Sequence, residues 1–427
     1  MSSTPSISRE EKLLLLILGC IQFSHIMDFM IMMPLGEVFM DYFDITPREF
    51  SLLVSSYTFS AAICVFVGAF FIDKVDRKSA LLVCYTGFVA GTMACAAAPT
   101  FYFLLIARMI TGAFGGILSA LVLSIVGDVF PFERRGKPMG VLMAAFSVAS
   151  VIGVPFGYYL AIKLNWHAPF LFMGLFGTAL VYFIFLKIPS LAGHITNGAK
   201  SSPLVVLTDV IKDPNQLKAL FFMMLLMIGQ FTIIPFLAPY MERNVGFRQE
   251  HITLIYLIGG SLTIFTAPWV GRMSDKHGKP KVFTWFALAA IIPLIVITNL
   301  PEIPVFIALI ATSIFFIVAS GRIIPAMTMI TSVVSPQKRG SFMSINTAVQ
   351  QFSAGLASFT AGLIVVESDP GGPLENYTFA GLLAVAATIA SVYVGRQLKK
   401  ADGSENVLKE KMSEKVRSAV KVETSMQ

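Results

Sequence analysis

The sequence predicts an all-α membrane protein with twelve transmembrane helices arranged in two pseudo-symmetric six-helix halves. Of its 427 residues, 56% are hydrophobic and only 13% are charged, which is too apolar for a soluble domain of this size. Apolar runs of about 20 residues, the length that crosses about 30 Å of hydrocarbon, recur along almost the whole chain. A polar, basic segment also occurs twice, so the chain divides into two halves.

The apolar runs give the positions of the spans. We predict spans over residues 13–39, 51–72, 79–98, 101–129, 139–160 and 169–188, and again over residues 217–241, 252–271, 281–300, 305–334, 342–366 and 377–398. Residues 1–188 therefore form the N-terminal six-helix half, and residues 217–398 the C-terminal half. Residues 189–216 are polar and read as a cytoplasmic linker, while residues 399–427 form a charged cytoplasmic tail.

The repeated segment occupies residues 69–78 and again residues 271–281. Each copy has a small residue, three further positions, an aspartate and then several basic residues, so that Asp73 corresponds to Asp275. Because such a segment cannot lie in hydrocarbon, each copy predicts a tight turn between two spans on one membrane face.

This segment resembles the signature loop of the major facilitator superfamily, GxxxD(R/K)xGR(R/K), which joins the second and third helices. Gly278 keeps the turn glycine in the second copy, whereas Asp76 replaces it in the first, where a positive φ would be disfavoured. The resemblance implies the twelve-helix fold. It also implies gating roles for Asp73 and Asp275. Arg77 would have a gating role too, by bridging to Asp128 when the cytoplasmic side is closed.

The basic residues predict the orientation. Of the 32 Lys and Arg residues, four fall on one side of the predicted membrane and two within spans, which leaves 26 on the side of the termini. By the positive-inside rule both termini are cytoplasmic, in a bacterial cytoplasmic (inner) membrane. Topology thus accounts for the net charge of +7, and no nucleic-acid partner is required.

Four ionisable side chains fall well inside spans, where a charge costs at least about 2.5 to 3.5 kcal/mol: His25, Asp28, Arg108 and Arg322. Asp28 lies about 24 Å, and Arg108 about 20 Å, above the cytoplasmic face at 1.5 Å per residue. We therefore expect the two to pair. His25 shares a helical face with Asp28.

The surroundings of these residues carry a second resemblance. Asp28 followed by Pro34 resembles the first-helix motif of drug:proton antiporters, and Arg108 with Gly112 resembles the fourth-helix RxxxG motif of the same superfamily. The resemblance implies that Asp28, Arg108 and His25 couple transport to protons. An ion pair that only pins two helices together is the alternative.

Polar residues within other spans predict a substrate cavity. Gln22, Gln230, Asn346 and Gln350 are its candidate lining residues, together with Arg322. Aligning the two halves places Arg322 opposite Leu118 rather than Arg108, so it is an independent charge. It either meets an anionic group in the cavity or extends to the membrane surface, and the sequence leaves both open.

The fifth span contains Gly153, Pro155 and Gly157, which resemble the GxPxG variant of sugar and arabinose efflux permeases. That resemblance favours export, and Gly with Pro makes a helix that can bend during gating. The sequence has no ATP-binding motif, so we predict a transporter that is not an enzyme and needs no cofactor. We expect it to be a monomer. Its expected partners are protons, membrane lipids and a small drug-like, lipophilic or sugar-like molecule. A nutrient importer, and a membrane receptor or lipid translocator, remain alternatives.

Overall fold

The structure is a computed structural model, and it describes residues 8–72, 74–130, 134, 136–192, 203–335 and 338–401. Within them the helices are α1 (Arg9–Ile31), α2 (Gly36–Phe43), α3 (Pro47–Gly68), α4 (Arg77–Ala96), α5 (Phe101–Val129), α6 (Gly136–Val148), α7 (Val154–Lys163), α8 (His167–Lys187), α9 (Pro203–Lys212), α10 (Pro214–Phe231), α11 (Ile234–Arg243), α12 (Gln249–His277), α13 (Lys279–Ile297), α14 (Val305–Ser332), α15 (Arg339–Ile364) and α16 (Tyr377–Gln397). A π-helical turn (Ala149–Gly153) joins α6 to α7, and a two-residue hairpin pairs β1 (Val366–Glu367) with β2 (Leu374–Glu375).

Among the described residues, eleven helical segments are long and apolar enough to cross a membrane. The remaining predicted span is α15, which is 26 residues long but carries polar residues that include Asn346, Gln350 and Ser353. With α15 included, the chain forms the twelve-helix, two-half fold that the sequence predicts. Because the number of crossings is even, α1 begins and α16 ends on the same face of the bundle, which we call the terminal face.

Short polar residues determine where many of the helices begin. The side chains of Ser8, Thr46, Asp76, Thr100 and Asp213 each accept a hydrogen bond from a backbone N–H of the first helical turn. Such N-caps satisfy donors that the helix itself leaves without a partner. The apolar run that follows each cap then forms a span.

The first predicted span is not one continuous helix. It breaks between α1 and α2 at residues 32–35, where Pro34 lacks the N–H that a helix interior needs. After the break, α2 packs closely: a Cβ on Gly36 would lie 2.8 Å from ring atoms of both Phe50 and Pro239. The prediction of one helix over residues 13–39 is therefore wrong at its end.

The two copies of the repeated segment differ in structure. In the second copy, α12 continues to His277, and the turn consists of Gly278 alone with φ of 90°. The helix therefore continues past the predicted end of the span at residue 271. In the first copy, Asp76 has φ of −53° and caps α4 by accepting from Ser79 N–H, so no left-handed strain arises.

Asp76 also ties the first copy to the end of α8. Its carboxylate accepts hydrogen bonds from Leu191 N–H at 2.6 Å and from the Ser190 hydroxyl at 3.1 Å. Partial burial acts to raise the pKa of Asp76, but the hydrogen bonds from Ser79 and Leu191 outweigh it and keep that pKa below its ordinary value.

The buried core shows how the two halves meet. On the face opposite the termini, one hydrophobic cluster includes residues of both halves, such as Phe39 and Phe236. Toward the terminal face the core separates into two clusters, one around Leu121 in the N-terminal half and one around Phe222 in the C-terminal half. Among the described residues, the buried apolar cluster with members from both halves is therefore the one that includes Phe39 and Phe236.

Candidate functional site

The candidate site begins with an ion pair buried in the N-terminal half. Arg108 Nη1 of α5 lies 2.7 Å from Asp28 Oδ2 of α1, and both side chains are 0% exposed. The other carboxylate oxygen of Asp28 accepts a hydrogen bond from Thr92 Oγ1 of α4 at 3.2 Å. Three helices thus converge on one carboxylate that water does not reach.

The guanidinium of Arg108 is only partly satisfied by Asp28. Its carbon lies 4.5 Å from the centre of the Tyr57 ring, so an aromatic face covers the cation. Arg108 Nε and Nη2 have no hydrogen-bond partner among the described residues. The close approach of α5 to α3 requires Gly112, because a Cβ there would collide with the backbone carbonyl of Tyr57. The RxxxG spacing therefore sets the distance between Arg108 and Tyr57.

His25 lies one turn before Asp28 on the same buried face of α1. Neither of its ring nitrogens has a hydrogen-bond partner among the described residues. Its ring centre is 6.4 Å from that of Tyr57 and 6.1 Å from that of Phe88. The structure thus places His25 beside the ion pair, but His25 does not bond to Asp28. Gln22 lies one helical turn before His25 and is half-buried.

Arg322 of α14 is the second arginine at membrane depth, and it is only 1% exposed. Its Nη1 donates to Thr388 Oγ1 of α16 at 2.9 Å, and its Nη2 donates to the Gly229 carbonyl of α10 at 3.0 Å. Arg322 therefore does not extend to the membrane surface, and that alternative is wrong. Both of its partners are electrically neutral.

The other predicted cavity residues are placed unevenly. Asn346 is fully buried, and neither its amide oxygen nor its amide nitrogen has a partner among the described residues. Gln230 and Gln350 are half-buried, and Gln230 Oε1 is buried without a partner in the same part of the chain. Asn346 and Gln230 thus retain hydrogen-bonding capacity inside the protein.

Aromatic rings connect the two buried arginines across the boundary between the halves. Tyr57, which covers Arg108, lies 5.3 Å from Phe29, and Phe29 lies 5.9 Å from Phe231 of α10. Phe29 is the residue after Asp28, and Phe231 is two residues beyond Gly229, which Arg322 binds. The two charged sites therefore flank one contact between the halves.

At the terminal face, Arg77 Nε lies 2.8 Å from Asp128 Oδ2, so the start of α4 is bound to the end of α5. Asp73 lies outside the described residues. Asp275, its counterpart in the second half, is 76% exposed and lies 3.1 Å from Lys279. The ion pair of Asp275 therefore lies at the protein surface.

The glycines of the fifth span allow close packing against α1. A Cβ on Gly153 would lie 3.1 Å from Phe23, and one on Gly157 would lie 2.9 Å from both Ile31 and Met27. Gly153 ends the π-helical turn, and Pro155 follows in the first turn of α7. A π-helical turn beside a proline is a position where a helix bends.

Sequence reasoning missed a charged cluster on the opposite face. Arg243 at the end of α11 donates through Nε to both oxygens of Glu37 at 2.7 Å, and through Nη1 to Glu367 at 2.8 Å. Beside it, the Tyr158 hydroxyl donates to Glu242 Oε1 at 3.0 Å. In the sequence, Arg243 was recognised only as one of four basic residues on that side of the membrane. The adjacent Glu242–Arg243 pair at the end of a span was the available signal for this cluster.

This Arg243 cluster (Arg243, Glu37 and Glu367) connects the halves, as does the Tyr158–Glu242 bond. The bonds of Arg243 to Glu37 and Asp41, and that of Tyr158 to Glu242, all lie on the opposite face. Together with the shared core, these contacts close that face.

Comparison with known proteins agrees with this architecture. The Major Facilitator Superfamily model matches residues 18–235 and again residues 219–422, once for each half. The chain belongs to the Major Facilitator Superfamily. It is 26% identical over 355 residues to the MFS-type transporter YwfA of Bacillus subtilis (strain 168), covering 80% of this chain and 83% of the relative.

Two further comparisons bear on this superfamily member. A relative named "Probable sugar efflux transporter" from Helicobacter acinonychis (strain Sheeba) is 24% identical over 219 residues, covering 51% of this chain and 54% of that protein. A crystal structure of a bacterial homologue of the human lysosomal transporter Spinster, inward-facing and occupied, superposes with a TM-score of 0.72 at 15% identity, covering 93% of this chain and 100% of that one. The second likeness shows the fold alone.

Proposed function

We propose that this transporter exports small organic molecules across a bacterial cytoplasmic membrane in exchange for protons. The observation that carries the proposal is the fully buried ion pair of Asp28 and Arg108. Removing two charges from water costs several kcal/mol per ion, so such pairs are weak devices for stability alone. In membrane spans they mark ion and substrate pathways.

The geometry around Asp28 supports a single-carboxylate exchange. When Asp28 is charged, Arg108 and Thr92 bind its two oxygens. Protonation removes the attraction to Arg108, and the guanidinium is then free to turn on the Tyr57 ring. Substrate binding that brings Arg108 back onto Asp28 favours the charged carboxylate and releases its proton to water, so that protonation of Asp28 and substrate binding alternate.

We propose that the terminal face is cytoplasmic, as the distribution of basic residues supports. The closed face is then the outer one, and the Arg243 cluster is its gate. In this arrangement the Arg77–Asp128 pair is present while the cytoplasmic face is open, so it does not form only when that face closes. A transporter in this arrangement takes up its substrate from the cytoplasm. Opening the outer face must break the bonds of Arg243 to Glu37 and of Tyr158 to Glu242.

Export rather than import is supported by two observations. Gly153, Pro155 and Gly157 resemble a motif of efflux permeases, and one relative is named for sugar efflux. Proton-driven uptake of a nutrient would use the same fold, so direction needs a direct test.

The test is solute flux in proteoliposomes with an imposed pH gradient. A panel of labelled monosaccharides, sugar acids and lipophilic dyes is tested with wild-type protein, with Asp28→Asn and with Asp369→Asn, an exposed hairpin aspartate that serves as the matched control. Wild type and the control accumulate a solute against its gradient when protons run the opposite way; Asp28→Asn only equilibrates it. Accumulation in the same direction as the protons would show symport and overturn export.

A further inference from the structure

We propose that the exported molecule carries a carboxylate, and that Arg322 binds it in the C-terminal half. This inference rests on the proposed transport function and specifies the chemical class of its substrate. It begins from the charge balance of the described residues at membrane depth. Asp28 neutralises Arg108, whereas Arg322 faces no acid among them.

The present partners of Arg322 leave most of its hydrogen-bonding capacity unused. A guanidinium has five N–H donors in a planar fork, and in the described part of the chain Arg322 forms two hydrogen bonds, one to Thr388 and one to Gly229. Its Nε is buried without a partner among those residues. A buried cation with only neutral acceptors is costly, and a carboxylate is the group that matches the fork with two parallel bonds.

The Gly229 carbonyl is available to Arg322 because α10 breaks just beyond it. In an unbroken helix this carbonyl would accept from the N–H of residue 233, but Ile233 N–H instead donates to the Gln230 carbonyl at 3.2 Å. A Cβ at position 229 would also lie 3.0 Å from Thr388 Oγ1 and 3.4 Å from Arg322 Nη1. The break and the glycine together make room for the guanidinium.

The position of Arg322 suits a substrate site. The helix break it binds leads directly to Phe231, whose ring contacts Phe29 of the N-terminal half. Gln230, between Gly229 and Phe231, has a buried amide oxygen without a partner among the described residues. A carboxylate bound by Arg322 therefore lies at the boundary between the halves, across from Asp28, where an alternating-access transporter holds its substrate. Because Arg322 neutralises the bound carboxylate, the charge of the substrate does not oppose the ionisation of Asp28.

The test measures ligand binding to purified full-length protein without a membrane or pH gradient. The probes are matched pairs at equal ionic strength: glucuronate with glucose, gluconate with sorbitol, and benzoate with benzamide. Thermal unfolding of wild type, of Arg322→Gln, of Arg322→Lys and of Arg396→Gln is followed by intrinsic fluorescence. Arg396 is exposed on the last turn of α16 and serves as the matched control.

We expect at least one carboxylate to raise the Tm of wild type and of Arg396→Gln, while its neutral partner does not. Arg322→Gln weakens that binding by at least about tenfold, because a charge-assisted pair is lost. Arg322→Lys, which keeps the charge but not the fork, retains part of it.

Three results would overturn the inference: equal shifts from the carboxylate and its neutral partner, binding that persists unchanged in Arg322→Gln, or no carboxylate shift in wild type. If Arg322→Gln only lowers Tm by the same amount with and without ligand, Arg322 merely holds the helix break together. Failure of proton coupling gives a different result, namely carboxylate binding that depends on Arg322 without gradient-driven flux.

Discussion

The two arginines buried at membrane depth differ in one respect: Arg108 has a carboxylate partner, and Arg322 has only a hydroxyl and a backbone carbonyl among the described residues. The two occur on α5 and α14, the fourth and tenth spans, which correspond in the two halves. In the mechanism we propose, the N-terminal half holds the pair that gains and loses the proton, and the C-terminal half holds a fixed positive charge. The two halves therefore share a fold but differ in the partners of their buried arginines.

The largest expected effect comes from removing Arg108. Arg108→Ala leaves Asp28 buried and unpaired, so we expect a loss of about 3–5 kcal/mol in the free energy of unfolding. Arg322→Ala leaves only neutral groups behind, and we expect a loss of about 1–2 kcal/mol. Denaturant unfolding in lipid nanodiscs measures both.

The double variant Asp28→Asn/Arg108→Ala sharpens this comparison. It removes the stranded carboxylate, and we expect it to recover most of the stability that Arg108→Ala loses. Equal losses from Arg108→Ala and Arg322→Ala would show instead that the two arginines have energetically equivalent surroundings.

The second effect concerns the glycine beside each arginine. A Cβ at position 112 collides with the backbone of Tyr57, which cannot move without shifting α3, so Gly112→Ala should cost about 1–3 kcal/mol. A Cβ at position 229 meets the Thr388 hydroxyl at 3.0 Å, so Gly229→Ala should cost less than about 1 kcal/mol. Thermal unfolding of the two variants provides the measurement, and the reverse order would contradict it.

The third effect tests the closed face that joins the halves. Arg243→Gln removes three ion pairs, to Glu37, Asp41 and Glu367, and should shift the conformational equilibrium toward outer opening. A cysteine placed at Val38, which is half-buried on α2, should react about tenfold faster with a membrane-impermeant thiol reagent in the Arg243→Gln background.

The control for that labelling is Arg48→Gln, which removes an exposed arginine of α3 on the same face. It should leave the rate of labelling unchanged. Equal rates in the Arg243→Gln and wild-type backgrounds would remove the Arg243 cluster from the gate.

The smallest effect is expected at Asp275, in the second copy of the repeated segment. Asp275 is largely exposed and pairs with Lys279 at the surface, so Asp275→Asn should change transport less than about twofold. By resemblance to the superfamily loop, Asp73→Asn should instead abolish or greatly slow transport while leaving insertion intact. Flux per molecule of inserted protein measures both, and a normal rate in Asp73→Asn would contradict the prediction.

The fold could be read from the sequence because hydrocarbon imposes a length and composition on every span. The break at Pro34 and the extension of α12 to His277 were missed for physical reasons. A proline breaks a helix only where packing stabilises the new direction of the chain. In this protein that packing is of Gly36 against Phe50 and Pro239. A polar helical turn beyond the membrane has no apolar pattern that would reveal it.

The site was only partly predictable. Residue depth alone indicated that Asp28 and Arg108 would lie close enough to pair, because a buried charge needs a partner. Tyr57 and Thr92, which complete their surroundings, are ordinary residues whose role depends on helix rotation. Glu37 and Arg243 are far apart in sequence and meet only where the halves join, so no local pattern links them.

In the proposed mechanism, the carboxylate of Asp28 exchanges a proton for the substrate. The direct measurement is proton release into weakly buffered detergent solution, followed with a pH-sensitive dye as the solute that most raises Tm is added to purified protein. Wild type should release up to one proton per bound solute, and Asp28→Asn should bind the solute while releasing none. Equal proton release from wild type and Asp28→Asn would contradict this mechanism.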